Sequence, residues 1–185
     1  TFLPRVDYDM AQENAQQCVV ADFDHSGSLD IAVTMEGYNQ GKVEVLYNDG
    51  EADFGSSEQF ASYVAWGLGS GDFDGDGWMD LVATSYGWAQ HGVRIYRNQH
   101  DGTFANSANT STLATSPAGV VAGDFDGDGI LDLAAASETG GYAVDWFHGN
   151  GNATVGSFHV VPNTYNLAGR RIYAGDFDGD AHLDL

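Results

Sequence analysis

The segment GDFDGDGWMDLVATS, residues 71–85, places Asp72, Asp74, Asp76 and Asp80 within nine positions. In the spacing Asp-x-Asp-x-Asp-Gly-x-x-Asp, the carboxylates at positions 1, 3 and 5 turn inward and glycine at position 6 permits a sharp turn. The backbone carbonyl of position 7 and the carboxylate at position 9 close the shell. A hard cation that takes six to eight oxygens at about 2.3–2.6 Å fits such a loop, and Ca²⁺ is that cation. Without it, like charges this close repel one another and drive some of the carboxyls to take up protons.

The segment recurs. DFDHSGSLDIAV begins at Asp22, DFDGDGWMDLVA at Asp72, DFDGDGILDLAA at Asp124 and DFDGDAHLDL at Asp176, spaced by 50, 52 and 52 residues. An EF-hand shares the first six positions but requires a glutamate at position 12 and flanking helices. Here the twelfth residues are Val33, Ala83 and Ala135, all inside strand-like runs, which excludes it.

The residues around each loop repeat as well. An apolar run (LDIAVT, MDLVAT, LDLAAA) is followed by a Gly- and aromatic-containing loop, then a second run (VEVLY, VRIYR, AVDWF), a polar Gly turn and a Phe. A third run (SYVAWGLGSGDF, AGVVAGDF, RRIYAGDF) leads back into the acidic loop. These are short runs of aliphatic and aromatic residues without helical periodicity; only PRVDYDMAQENAQQ near the start reads as a possible helix. Each unit reads as four strands, A to D, with the acidic loop between A and B. Strands A and B are apolar at nearly every position, so both their faces are expected to be buried. A four-stranded sheet of about 40–50 residues, covered on both sides by copies of itself, is a β-propeller blade. The expected class is therefore all-β. Residues 1–17 read as the D-strand end of a preceding blade, 18–64, 65–117 and 118–168 as three blades, and 169–185 as the start of a fourth.

The pattern AGDFDGDGxxDLAAAS, a strand, then NxxDGTF (Asn98 to Phe104) resembles the FG-GAP or VCBS repeat, and the resemblance spans residues 18–185. That repeat occurs in integrin α-subunit propellers and in secreted or surface-attached microbial proteins. The resemblance implies a propeller, usually seven-bladed, with Ca²⁺ in the A–B loops of one face. It assigns Asp72, Asp74, Asp76, the Trp78 carbonyl and Asp80 to the second site. The third takes Asp124, Asp126, Asp128, the Ile130 carbonyl and Asp132. In the first copy Ser26 stands at position 5 beside Asp22, Asp24, Asp30 and the Ser28 carbonyl; one charge fewer predicts weaker binding. In the fourth, Asp176, Asp178, Asp180, the His182 carbonyl and Asp184 are present, but Ala181 replaces the glycine. Up to four ions are expected, filling the Asp72 and Asp124 loops first, then the fourth loop, then the first.

Composition bounds the partners. Against 27 acidic residues stand 6 Lys and Arg, a formal charge of −21, with 43% apolar residues in 185. Nucleic acid is excluded for want of a basic patch, and an anionic membrane surface for the same reason. No apolar stretch approaches the roughly 18 residues of a membrane helix. Cys18, the one cysteine, sits in QCVVADF and reads as a small buried hydrophobe. The opening TFLPRVDY, without Met or signal peptide, reads as a processed product or a fragment. Three units and a half imply that the remaining blades, of the same protein or of a second chain, complete a ring.

Three classes of function follow. The first is a calcium-stiffened recognition or adhesion scaffold outside the cell, where millimolar calcium loads such modules. The second is a lectin-like surface on the B–C loops, EGYNQG (36–41) and SYGWAQHG (85–92). There Tyr38 and Trp88, and Gln40 and Gln90, fall at matching offsets, with Tyr86 beside them. An aromatic face beside amide donors suits a sugar ring. The third is an enzyme, disfavoured because the carboxylates are consumed as ligands and no HExxH or GxSxG motif is present; propellers that resemble this one also occur as non-catalytic domains attached to polysaccharide-active enzymes.

Overall fold

The computed structural model describes residues 7–8, 14–36, 41–51, 53–62, 66–85, 91–111, 116–138, 144–161 and 170–185. Twelve strands form three sheets. The first holds β1 (Ala15–Ala21), β2 (Asp30–Met35), β3 (Gly41–Tyr47) and β4 (Ser56–Ser62). The second holds β5 (Leu68–Gly71), β6 (Asp80–Ser85), β7 (Gly92–Asn98) and β8 (Phe104–Ser111). The third holds β9 (Pro117–Gly123), β10 (Asp132–Ser137), β11 (Val144–Gly149) and β12 (Val155–Val160). Every sheet is an antiparallel meander in chain order. The fourth unit contributes a bridge between Gly175 and Asp184, with backbone bonds in both directions. The molecule is all-β and its sheets are β-propeller blades, with β5 lying against both β1 and β9.

The unbroken apolar character of the second strands has a direct cause. Leu81 and Ala83 of β6 point into a core shared with Phe23, Val43 and Val45 of the first blade. Val82, between them, points the other way, into a core shared with Val120, Leu133, Ala135 and Phe147 of the third. Alternation along the strand thus serves two interfaces, and β6 and β10 are buried at every position. Each large side chain buried this way contributes about 1.5–3 kcal/mol.

Three expectations need correction. Among the described residues there is no helix: Ala15–Gln17, the end of the candidate helical segment, opens β1. There the Gln17 amide bonds Thr34 Oγ1, and the side-chain amide of Gln17 reaches the Leu68 carbonyl across the blade interface. Local helical propensity yields to this ladder. Cys18 is exposed, not buried. It shares a face of β1 with Val20, which is 53% exposed, and among the described residues no sheet packs on that side. For the same reason β1 alternates between exposed and half-buried positions rather than being covered on both faces.

Candidate metal centres

The four A–B loops have one backbone design. Position 6 takes positive φ in all of them: Gly27 at 87°, Gly77 at 89°, Gly129 at 87° and Ala181 at 68°. Position 4 does so too, at Gly75, Gly127 and Gly179, and at His25 with φ 57°. Ala181 and His25 therefore hold a left-handed conformation that costs an L-residue about 1–2 kcal/mol. The requirement at position 4 was not read from the sequence, although glycine in three copies of four is its signature.

These turns aim amides at carboxylates. In the second loop Asp72 Oδ1 accepts from the amides of Gly75 and Asp76, and its Oδ2 from Gly77. The third loop repeats this at Asp124, and the fourth at Asp176, with Ala181 donating in place of glycine. Asp74, Asp126 and Asp178 each accept the amide of position 5 through Oδ1. Asp76, Asp128 and Asp180 accept the amides of Trp78, Ile130 and His182. In the first loop the Ser26 hydroxyl does this for Ser28. One oxygen of each carboxylate at positions 3 and 5 thus organises the turn.

Position 9 anchors the loop to the sheet. Asp30, Asp80 and Asp132 open the second strands and are fully buried. Their Oδ2 atoms accept the amides of Phe23, Phe73 and Phe125, and their Oδ1 atoms those of Asn48, Asn98 and Gly149 at the ends of the third strands. At Gly149 this approach leaves no room for a side chain: a Cβ there would meet the Leu131 carbonyl oxygen at 2.1 Å. Burial pushes the Asp80 carboxyl up to about 6 against these bonds, and raises Asp30 likewise.

The carboxylates converge. Oxygens of Asp22, Asp24 and Asp30 lie within 4.8 Å of one another, as do those of Asp72, Asp74 and Asp80, of Asp124, Asp126 and Asp128, and of Asp176, Asp178 and Asp184. Each of these groups can hold an ion. The first loop supplies an independent sign: Asp22 Oδ1 is buried and has no hydrogen-bond partner, an omission that costs about 1–3 kcal/mol unless a cation satisfies it. Geometry and donor chemistry both fit a hard divalent ion.

Arginine and histidine side chains absent from the sequence-derived ligand set also reach the loops. Ile31 faces Leu46, Leu81 faces Tyr96 and Leu133 faces Phe147; the next residues, Tyr47, Arg97 and His148, therefore occupy one structural position. Arg97 pairs with Asp74 through Nε and with Asp76 through a terminal nitrogen at 3.1 Å. His100 Nε2 stands 2.7 Å from Asp76 Oδ2. Burial would raise the Asp76 carboxyl, but the Trp78 amide, His100 and Arg97 outweigh it and hold Asp76 at about 2. His148 faces Asp126, Asp128 and Asp132. Tyr47, at the first-blade position, instead donates to the Gly102 carbonyl at 2.6 Å.

Neighbouring loops are also coupled. Trp78 is sandwiched between His25 (ring centroids 3.9 Å apart) and His100 (4.8 Å), and His25 Nε2 meets the Gly77 carbonyl at 3.0 Å. Asn98 of the second blade donates to the Phe23 carbonyl of the first loop, and the Ala153 amide of the third blade to the Phe73 carbonyl of the second. Of the loop phenylalanines, Phe23 and Phe73 are buried in the blade cores, whereas Phe177 is 70% exposed. Tyr38, Gln40, Tyr86, Trp88 and Gln90, the candidate ligand surface, lie outside the described residues.

No curated protein matches the chain. Residues 22–83, 72–135 and 125–185 each match the FG-GAP-like repeat. Each match starts at or next to the first aspartate of an acidic loop and runs into or through the following one, the same unit that the sheets and loops repeat. The chain therefore belongs to the FG-GAP-like repeat family.

Proposed function

We propose that this chain is a calcium-binding segment of an extracellular β-propeller, and that the ions stiffen a scaffold for recognition or adhesion. The observation that carries the reading is the same convergence of carboxylate oxygens in four loops, with Asp22 Oδ1 buried and unpartnered in the first. Asp22, Asp24 and Asp30 would hold one ion, Asp72, Asp74 and Asp80 a second, Asp124, Asp126 and Asp128 a third, and Asp176, Asp178 and Asp184 a fourth. The ion supplies positive charge that the buried position 9 carboxylates otherwise lack. The residues themselves orient it. At positions 3 and 5 a turn amide fixes one carboxylate oxygen and leaves the other without an amide. In the second and third loops the carboxylates at positions 1 and 9 are held through both oxygens.

Sites of this kind bind at about 10⁻⁴–10⁻³ M, which favours calcium-rich surroundings outside the cell. Among the described residues no helix is long and apolar enough to cross a membrane. Tyr173, Phe177, Leu183 and Leu185 of the fourth unit are exposed apolar groups at places where preceding blades are covered by a neighbour. Further blades, from the same protein or a second chain, are proposed to cover them and complete a ring of about seven.

Thermal melting in 5 mM CaCl₂ against EGTA tests the reading. At these affinities each occupied site adds about 1–2 kcal/mol, so Tm rises by at least about 5 °C. Identical melting curves in the two buffers would refute it.

A further inference from the structure

The three acidic loops with a described third strand differ in what that strand places over them. The shared position holds the phenol of Tyr47, the guanidinium of Arg97 and the imidazole of His148. Of these only imidazole offers a neutral nitrogen lone pair to a metal. In the third loop His148, Asp126 and Asp132 form a group whose ligating atoms lie within 4.8 Å of one another. His148 Nδ1 is 3.0 Å from Asp126 Oδ2 and 3.4 Å from Asp132 Oδ1.

Those separations have a coordination meaning. Two ligands each about 2.0–2.2 Å from one ion lie about 3.0 Å apart when cis in an octahedron and about 3.4 Å apart in a tetrahedron. The donors are also held in place from outside the group. Asp126 uses Oδ1 for the Asp128 amide and turns Oδ2 to the imidazole. Asp132 is fixed by the amides of Phe125 and Gly149. Asp128 Oδ2 stands 3.8 Å from the other ring nitrogen, Nε2. Oxygen-only loops suit Ca²⁺, whereas imidazole with carboxylates suits first-row transition metals, whose affinities rise toward Cu²⁺ and Zn²⁺.

We infer that the third loop is a mixed nitrogen–oxygen site, in which His148, Asp126 and Asp132 bind a transition-metal dication such as Zn²⁺ in preference to Ca²⁺. This rests on the reading of the loops as metal sites and separates one from the others. His148 is 42% exposed on its side chain, so the ion has a route in and keeps water among its ligands.

The test is titration of the metal-free full chain with Zn²⁺, and with Co²⁺ followed by its visible absorption, for the wild type, His148→Gln and Arg97→His, alongside a Ca²⁺ titration of each. The expected result is that His148→Gln loses at least tenfold in affinity for one Zn²⁺ equivalent and loses the imidazole-shifted cobalt band, while its Ca²⁺ stoichiometry is retained. Arg97→His, which transfers the imidazole to the second loop, gains a Zn²⁺ equivalent. Superimposable Zn²⁺ and Co²⁺ titrations for the wild type and His148→Gln, with Ca²⁺ binding intact, overturn the inference and leave the calcium reading standing. Absence of both Ca²⁺ and Zn²⁺ binding in the wild type overturns both. If His148 only donates a hydrogen bond to the carboxylates, its loss strengthens Ca²⁺ binding and leaves Zn²⁺ unchanged, which also overturns it.

Discussion

If the loops bind calcium as proposed, individual side chains set the order in which they fill, and charge counting alone does not capture it. The second loop has the full set of aspartates, yet Asp74 and Asp76 are already engaged by Arg97. An entering ion must displace that guanidinium, which is itself drawn to the carboxylates strongly enough to raise its own proton affinity. The first loop has one carboxylate fewer but an oxygen with nothing else to bind. Arg97→Gln is therefore expected to tighten Ca²⁺ binding at the second loop by roughly two- to fivefold. The gain should shrink at high ionic strength, because a half-exposed pair is screened. Calorimetric titration at 50 and 500 mM NaCl reads both effects. An unchanged or weaker affinity in the variant would show that Arg97 does not compete with the ion.

Strands were legible because they repeat, and because residues covered on two faces leave an unbroken apolar run. The loops were legible because ligand spacing is local: position 1 and position 9 are eight residues apart. Arg97 and His148 were not, because each lies 16 or 17 residues beyond its position 9 aspartate and is delivered by pairing between the second and third strands. A comparison of the last residues of the three third strands, just before the polar turn, is the signal that finds them. Cys18 was misread for a related reason: sequence gives the apolar neighbours of a residue but not which face of its strand is covered.

The same strand end carries a structural device. Asn98, buried at the end of β7, donates to the Met79 carbonyl of its own loop and the Phe23 carbonyl of the preceding one. Asn98→Ala should cost about 1–3 kcal/mol, since a buried and a part-buried carbonyl lose their donor. Chemical denaturation in EGTA measures it. If the blades are coupled through this bond, chelation should reduce the cooperativity of unfolding further in the variant than in the wild type. A loss below about 0.5 kcal/mol would assign the coupling to the apolar interface alone.

Across the whole molecule the question is how −21 formal charges are tolerated. Four divalent ions would leave −13; without them protons must serve. Asp80, raised to about 6 by burial, holds its proton more tightly in the folded chain than in the unfolded one, where carboxyls titrate near 4. Between about pH 4 and 6 the native state binds more protons, so stability falls as pH rises through that window. Asp30 acts in the same direction. Asp76, held at about 2, contributes stability that is lost only at lower pH. The metal-free protein should therefore melt at a higher temperature at pH 5 than at pH 7, while the increment from 5 mM CaCl₂ shrinks over the same range as protons compete. Scanning calorimetry at pH 5, 6 and 7 checks both slopes; a metal-free Tm that falls steadily on acidification contradicts them.

The bonds from Asn98 to Phe23 and from Ala153 to Phe73 let a later blade clasp the loop of the one before it, while Gln17 and Tyr47 of the first blade reach forward to the Leu68 and Gly102 carbonyls of the second. Peeling away a blade therefore strips a bond from its predecessor's ion loop and another from its successor, so damage begun at one blade in chelator would spread to both of its neighbours.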